Sequence, residues 1–295
     1  MTRWLAHPAA AAVLGLLLAT TTPACGETLD KALREEVSRI PVPAAGADIV
    51  VTSFRPQGKG PFPWLVLSHG TATTLEANLA KGRYRPLHPV HEWVKRGYAV
   101  LVPMRRGYGA GDGQRLGDAY GTCARPDFKR AGEGAALDLL ATVDWAKQQR
   151  DLDPKRWLLV GQSAGGFASI YAASKRPDGL VAVLAFSPGR GGDPEKRPGE
   201  PCASDKLAEL LASIAPQVPV PVLWFYARND AYIGPRVQQL WFDHFRAAGG
   251  RGELVVTADF AQAQGHGVFP AAAGIPLWTG AVGKFFAAQG VALPF

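Results

Sequence analysis

An α/β fold built on a mostly parallel sheet is the class that this 295-residue chain predicts. Three observations carry that expectation. From residue 48 onward, short apolar runs alternate with longer segments whose apolar residues recur at helical spacing. The runs show no polar alternation, so both of their faces must be covered, as in a parallel sheet between two helical layers. The Ser, Asp and His residues with distinctive surroundings stand just after such runs, and sheets of this kind hold ligands beyond their strands' carboxyl ends.

The elements follow in order. Residues 1–24 read as a secretory signal: a positive start at Met1-Thr2-Arg3, an apolar stretch over 9–19, and small residues up to Ala24. The stretch is too short to span a bilayer. Cys25 stands where bacterial lipoproteins carry their lipidated cysteine, though Thr22 replaces the usual Leu, and it is a candidate lipid anchor. Residues 25–47 form an N-terminal segment, with a short charged helix expected over 29–40 and then a Pro/Ala/Gly linker. One α/β domain fills 48–295. Its strands are expected at 48–54, 64–67, 98–102, 157–160, 180–186, 220–226 and 253–257. Its helices are expected at 86–96, 130–150, 205–215, 235–248 and 277–288, with Asp153-Pro154 ending the second of these. Two long loops, 104–129 and 187–204, leave the functional edge of the sheet, and loops of that length are usually functional. Tyr108 and Tyr120 either line a pocket there or pin the loop to the body.

Composition narrows the function classes. The net charge of +7 is spread without a basic stripe interleaved with aromatics, which argues against nucleic acid as a partner. His7, His88, His91 and His244 have no metal-ligand spacing with Asp, Glu or Cys, so no metal is expected. No Gly-x-Gly-x-x-Gly follows the first strand, so no nucleotide cofactor is expected either. Cys123 and Cys202 are the only cysteines besides Cys25, and in an oxidising compartment they are candidates for a disulfide.

Gly161-Gln162-Ser163-Ala164-Gly165 follows the apolar run 157–160 and opens a helical segment. A Gly-x-Ser-x-Gly at a strand-to-helix junction lifts the serine hydroxyl above the sheet edge, and its small flanks let neighbouring backbone approach. The alternative is a serine that merely caps the helix. Asp230 follows the run 220–226, and Gly265-His266-Gly267 lies in the loop after 253–257. Histidine titrates near neutrality and can take a serine proton, while an aspartate can fix its tautomer. Asp259 is the fallback acid. Gly265 and Gly267 are expected to let the histidine loop turn tightly. For an oxyanion, backbone N–H groups serve best, and the candidates are Ala164 and, after the early His69-Gly70 turn, Thr71 or Ala72. His69 itself is expected to be structural.

With Ser163, Asp230 and His266 in that chain order and the His69-Gly70 turn upstream, the sequence resembles the α/β-hydrolase superfamily over about residues 48–290. It is most similar to the dienelactone-hydrolase and prolyl-oligopeptidase-like branch. Dienelactone hydrolases proper use a cysteine nucleophile, whereas this chain has Ser163, so lactone specificity does not carry over. The resemblance implies an eight-stranded sheet with helices on both faces, no large cap domain and a cofactor-free serine hydrolase. Esterase action on a small-molecule ester through an acyl-enzyme is the first expectation. A prolyl-oligopeptidase-like peptidase and a catalytically silent binding member are the alternatives. The resemblance also places the strands at 98–102 and 180–186 on either side of the nucleophile strand, so that Cys123 and Cys202 can meet above the pocket. Export is expected, to the periplasm or beyond.

Overall fold

The computed structural model describes residues 28–72, 74–109, 119–261 and 264–295. The signal segment, Cys25 and the Gly111-Asp112-Gly113 part of the first long loop lie outside the described residues.

The chain enters through a turn that the Asp30 carboxylate organises, its Oδ1 accepting the N–H groups of Ala32 and Leu33. The helix expected over 29–40 does not form. Arg34 takes a positive φ of 47°, and Glu36–Val42 is a strand, β1. The physical reason is visible in hindsight: Ile40 and Val42 point inward while Val37, Arg39 and Pro41 do not, a period of two. Pro41 would also have cost a helix one of its hydrogen bonds. A tight turn at Pro43–Ala45, closed by Gly46 at φ 58°, returns the chain as β2 (Ala47–Phe54), antiparallel to β1.

The parallel part then builds up as β3 (Phe62–Ser68), α1 (Leu75–Leu79), α2 (Leu87–Lys95) and β4 (Ala99–Met104). It continues through α3 (Phe128–Ala146), β5 (Leu152–Gln162), α4 (Ala164–Ala173) and β6 (Leu180–Phe186). The last third comprises α5 (Ser204–Ile214), β7 (Val222–Ala227), α6 (Pro235–Ala247), β8 (Gly252–Thr257) and α7 (Ile275–Gln289). Several boundaries differ from expectation. Asp127 accepts the Arg130 N–H and starts α3 two residues early, and Asp153-Pro154 lies inside β5 rather than between elements. The proline is tolerated because the pairing of β3 with β5 shifts register there, sparing it a ladder bond.

The sheet has eight strands in the order β1-β2-β4-β3-β5-β6-β7-β8, parallel from β4 to β8. The strand that carries Ser163 is therefore flanked by β3 and β6. The expectation that the 98–102 strand neighbours it is corrected: β4 lies one strand further out. The inner strands serve two cores in alternation. Val66, Leu101, Leu159, Val183 and Trp224 face α3 to α6, while Leu65, Val100, Leu158, Leu184 and Phe225 face α2 and α7. Burying such a side chain contributes about 1.5–3 kcal/mol, and the double cover explains why the runs read as apolar throughout. All of α4 is buried, wedged between sheet and α3, where Gly132 leaves room for the Tyr171 ring.

Candidate active site

β5 ends at Gln162, and the chain must turn at once into α4. Ser163 makes that turn at φ 56°, ψ −124°, a conformation that costs a non-glycine residue on the order of 1–3 kcal/mol. The surroundings enforce it. The Ser163 N–H donates to the Phe186 carbonyl on β6 (2.9 Å), and its own carbonyl accepts from Gly189 and from Phe167. A side chain at Gly161 would strike the Gly165 carbonyl, and one at Gly165 would strike Ser68 on β3. That is why the motif needs glycine at both ends. The Ser163 hydroxyl makes no cap bond to α4, so the helix-cap alternative is overturned and the hydroxyl faces the cavity.

Asp230 and His266 come from the ends of β7 and β8. The Asp230 carboxylate is fully buried, and both of its oxygens face Nδ1 of His266, at 3.1 and 2.9 Å. Its Oδ1 also accepts the N–H groups of Tyr232 and Ile233, so the acid holds its own loop. His266 lies in the 3₁₀ turn Gly265–Gly267. Gly265 fits against Asn229 and the Asp230 backbone so closely that a Cβ would come within 2.7 Å of each. Gly267, expected to matter equally, faces open space. The fallback acid Asp259 is exposed and pairs with Arg228 (2.8 Å); that hydrogen bond holds its carboxyl below the usual aspartate range. No hydrogen bond joins it to His266 among the described residues.

Ser163, Ala164, Thr71, Tyr120, Tyr232 and His266 all line one cavity of about 250 Å³. The structure thus brings Ser163 and His266 to one cavity, with Asp230 directly behind the histidine. Of the proposed oxyanion donors, Ala164 begins α4 beside the serine. The Ala72 N–H is already donated to Asn78 Oδ1 at 2.7 Å, and Thr71 lines the cavity. Asn78 is buried and also donates to the carbonyls of Ala72 and Thr74, so one side chain shapes the loop after β3. His69 is fully buried: its Nε2 accepts the Arg105 N–H and its Nδ1 meets the Gly70 carbonyl. Both ring nitrogens have structural partners, as expected. Of the two tyrosines in the first long loop, Tyr120 lines the cavity and Tyr108 is buried edge-on against His69.

Three functional neighbours escaped the sequence reading. Gln162 Nε2 donates to the His266 carbonyl (2.8 Å), clamping the histidine turn to the end of β5. Tyr232 stacks on His266, ring centroids 4.3 Å apart. Arg190 lines the cavity from the loop after β6. The same loop is fastened by Tyr226, which donates to the Pro188 carbonyl at 2.7 Å; burial, then the Asp230 charge, pushes its phenol well above the usual range, so it remains a donor. Cys123 and Cys202 are bonded, with Cα atoms 5.3 Å apart. Cys202 in turn donates its N–H to Gly191, a residue of the cavity wall.

The sequence profile of the X-Pro dipeptidyl-peptidase family (S15) matches residues 45–194, just over half of the chain and including Ser163 but neither Asp230 nor His266. No curated protein matches the chain. Among solved structures, the esterase Pf2001 of Pyrococcus furiosus superposes with a TM-score of 0.60 at 20% identity, covering 90% of this chain and 96% of that one. Est1E of Butyrivibrio proteoclasticus, solved with ferulic acid bound, gives 0.56 at 19% identity, covering 85% and 98%. A puromycin-hydrolysing peptidase of Mycobacterium tuberculosis gives 0.61 at 18% identity, covering 91% of this chain but 41% of its own. At these identities the likeness establishes the α/β-hydrolase fold.

Proposed function

The chain belongs to the X-Pro dipeptidyl-peptidase family (S15), and on that premise we propose that it is an exported serine hydrolase that cleaves small carboxylic esters through an acyl-enzyme. The observation that carries the reading is the cavity shared by the strained Ser163 and by a His266 held on Asp230. In the proposed reaction Ser163 Oγ attacks the ester carbonyl while His266 Nε2 takes its proton. Asp230 keeps the proton of Nδ1 in place and stabilises the imidazolium. The N–H groups of Ala164 and Thr71 receive the carbonyl oxygen as it becomes negative, and each such donor is worth about 3 kcal/mol of barrier. His266 then returns the proton to the departing alcohol. A water, activated by the same histidine, releases the acid and restores Ser163.

Charge favours the ester over the dipeptidyl-peptidase reaction. Among the described residues the cavity is lined by no Asp or Glu side chain, and Arg190 is its one side chain of fixed charge. A peptide with a free N-terminus brings an ammonium group, which is costly to bury without a counter-charge. A neutral ester brings none. The cavity is also small beside the roughly 300–1,000 Å³ of sites for drug-sized ligands, which suits short acyl groups. The peptidase reading keeps the support of the family profile and uses the same three residues. Matched p-nitrophenyl esters and X-Pro p-nitroanilides decide between them. The proposal expects kcat/KM to be higher for short-chain esters by orders of magnitude, and a preference for the anilides would replace it.

Export rests on residues 1–24 and on the disulfide, which favours an oxidising compartment. Among the described residues no helix is long and apolar enough to cross a membrane. N-terminal sequencing of native material should find the chain starting just after Ala24, and an intact mass would show a lipid on Cys25.

A further inference from the structure

The turn after β7 does more than present an acid. Asp230 Oδ1 accepts the N–H groups of Tyr232 (2.9 Å) and Ile233 (3.1 Å), curling the chain so that an aromatic side chain two residues later comes back over the histidine. The Tyr232 and His266 rings are stacked at 4.3 Å with 28° between their planes. Tyr232 cannot swing away easily. Behind it, Gly192 lies so close that a Cβ there would sit 2.9 Å from Tyr232 Cβ. The chain on both sides is pinned, Gly199 donating to Ala231 (2.7 Å) and Gly234 donating to Gly199 (2.8 Å).

We propose that Tyr232 is a positioning residue whose ring face stabilises the His266 imidazolium formed while Ser163 is being acylated. This rests on the serine-hydrolase reading above. The proton leaves Ser163 Oγ for His266 Nε2, so the ring gains a full positive charge during the step and loses it when the leaving group is protonated. An aromatic face carries negative electrostatic potential and attracts a cation within about 6 Å of its centroid. Because the neutral imidazole is attracted far less, the contact is stronger in the transition state than before it, and only such contacts accelerate the chemistry. His266 is 13% exposed, so water does little to mask the effect.

The other charges around the ring pull in both directions. Asp230 lies behind it on the β7 loop. From the loop after β6, Asp193 (paired with Lys196) and Glu195 act on Tyr232, and Arg190 lines the same cavity with the opposite sign. The Tyr232 phenol stays neutral, since burial and then the negative charges of Asp230, Asp193 and Glu195 raise its pKa. It therefore supplies an electron-rich face without adding net charge to the cavity.

The test replaces the ring's electronics while keeping its shape. Tyr232→Phe is compared with mono-, di- and trifluorinated phenylalanines at the same position, following ester kcat/KM against pH and the titration of resting His266 by NMR. Phenylalanine should retain most of the rate. Each added fluorine should lower it, to about a tenfold loss for the trifluorinated ring, and both the acidic limb of the profile and the NMR titration should move to lower pH. A purely steric role would leave the series flat, and a flat series overturns the inference. The hydrolase reading is checked separately, on the wild type. If that protein neither turns over esters nor is labelled by a fluorophosphonate, the reading fails, and the inference with it. An active wild type with a flat series removes the inference alone.

Discussion

A serine at φ 56°, ψ −124° is held there by the backbone of β3, β6 and α4 at once, and the two motif glycines are the space those neighbours occupy. The pentapeptide and the order of Ser163, Asp230 and His266 were legible because they are local patterns: a turn needs small residues, and an aspartate and a histidine stand in the loops after two strands. Gln162, Asn78 and Tyr232 were not legible, because their roles depend on partners from other elements, as when Gln162 reaches a carbonyl 104 residues away. Two predictions belong at this scale. Asp230→Asn should lower ester turnover by around four orders of magnitude by misassigning the His266 tautomer, whereas Asp259→Asn should leave it within about threefold; steady-state kinetics that reverse the two would transfer the acid role. Gly265→Ala should cripple turnover, since its Cβ meets Asn229 and the Asp230 backbone, while Gly267→Ala should be tolerated. Equal losses in both would show that flexibility, not close approach, is what the histidine turn requires.

Elements were legible where their periodicity stood alone and misread where tertiary pairing decided. The apolar runs became strands because both faces are covered. The segment 29–40 carried charges that suited a helix, but the free edge of β2 offered Ile40 and Val42 a ladder and a core. One of the two expected neighbours of β5, the strand at 180–186, is there; the other was misassigned for a similar reason, since strand order depends on crossovers that no local pattern encodes. The two loops leaving the sheet edge nevertheless meet, and the bond between Cys123 and Cys202 joins the wall near Tyr120 to the wall at Gly191. Replacing both cysteines by alanine should cost about 4 kcal/mol of stability on chain-entropy grounds, lowering the thermal midpoint by about 10 °C, and should raise KM for esters as the walls loosen. Scanning calorimetry of the double variant that matched the wild type would deny the bridge any part in stability.

Across the whole molecule, two cores on either side of one sheet set the scaffold, and a buried charge cluster ties in the chain's first described turn. Glu35 is enclosed; it accepts from Arg85 Nε (2.7 Å), Arg83 Nη1 (2.8 Å) and the Asp30 N–H (2.7 Å), and Arg83 also reaches Thr52 on β2. Burial pushes its pKa up, but the bonds from Arg85, Asp30 and Arg83 outweigh that and bring it below the usual glutamate value. A carboxyl with a lowered folded-state pKa adds stability that is complete above its unfolded value, about 4.3, and is lost as the pH falls through the lower folded one. Glu35→Gln should therefore cost about 1–3 kcal/mol at pH 7, with the gap to wild type closing below about pH 4. Denaturant midpoints that stay equally far apart across that range would contradict the assignment.

The claim on which the rest depends is that Ser163 is the nucleophile of an acyl-enzyme. Reaction of the folded protein with a fluorophosphonate, followed by intact mass and peptide mapping, tests it most directly. The account predicts one adduct per chain, on Ser163, with ester hydrolysis lost in proportion, and neither adduct nor activity in Ser163→Ala, whose rate should be about a millionfold lower. A folded wild type that takes no adduct, or an adduct on another residue with Ser163→Ala still active, would contradict it.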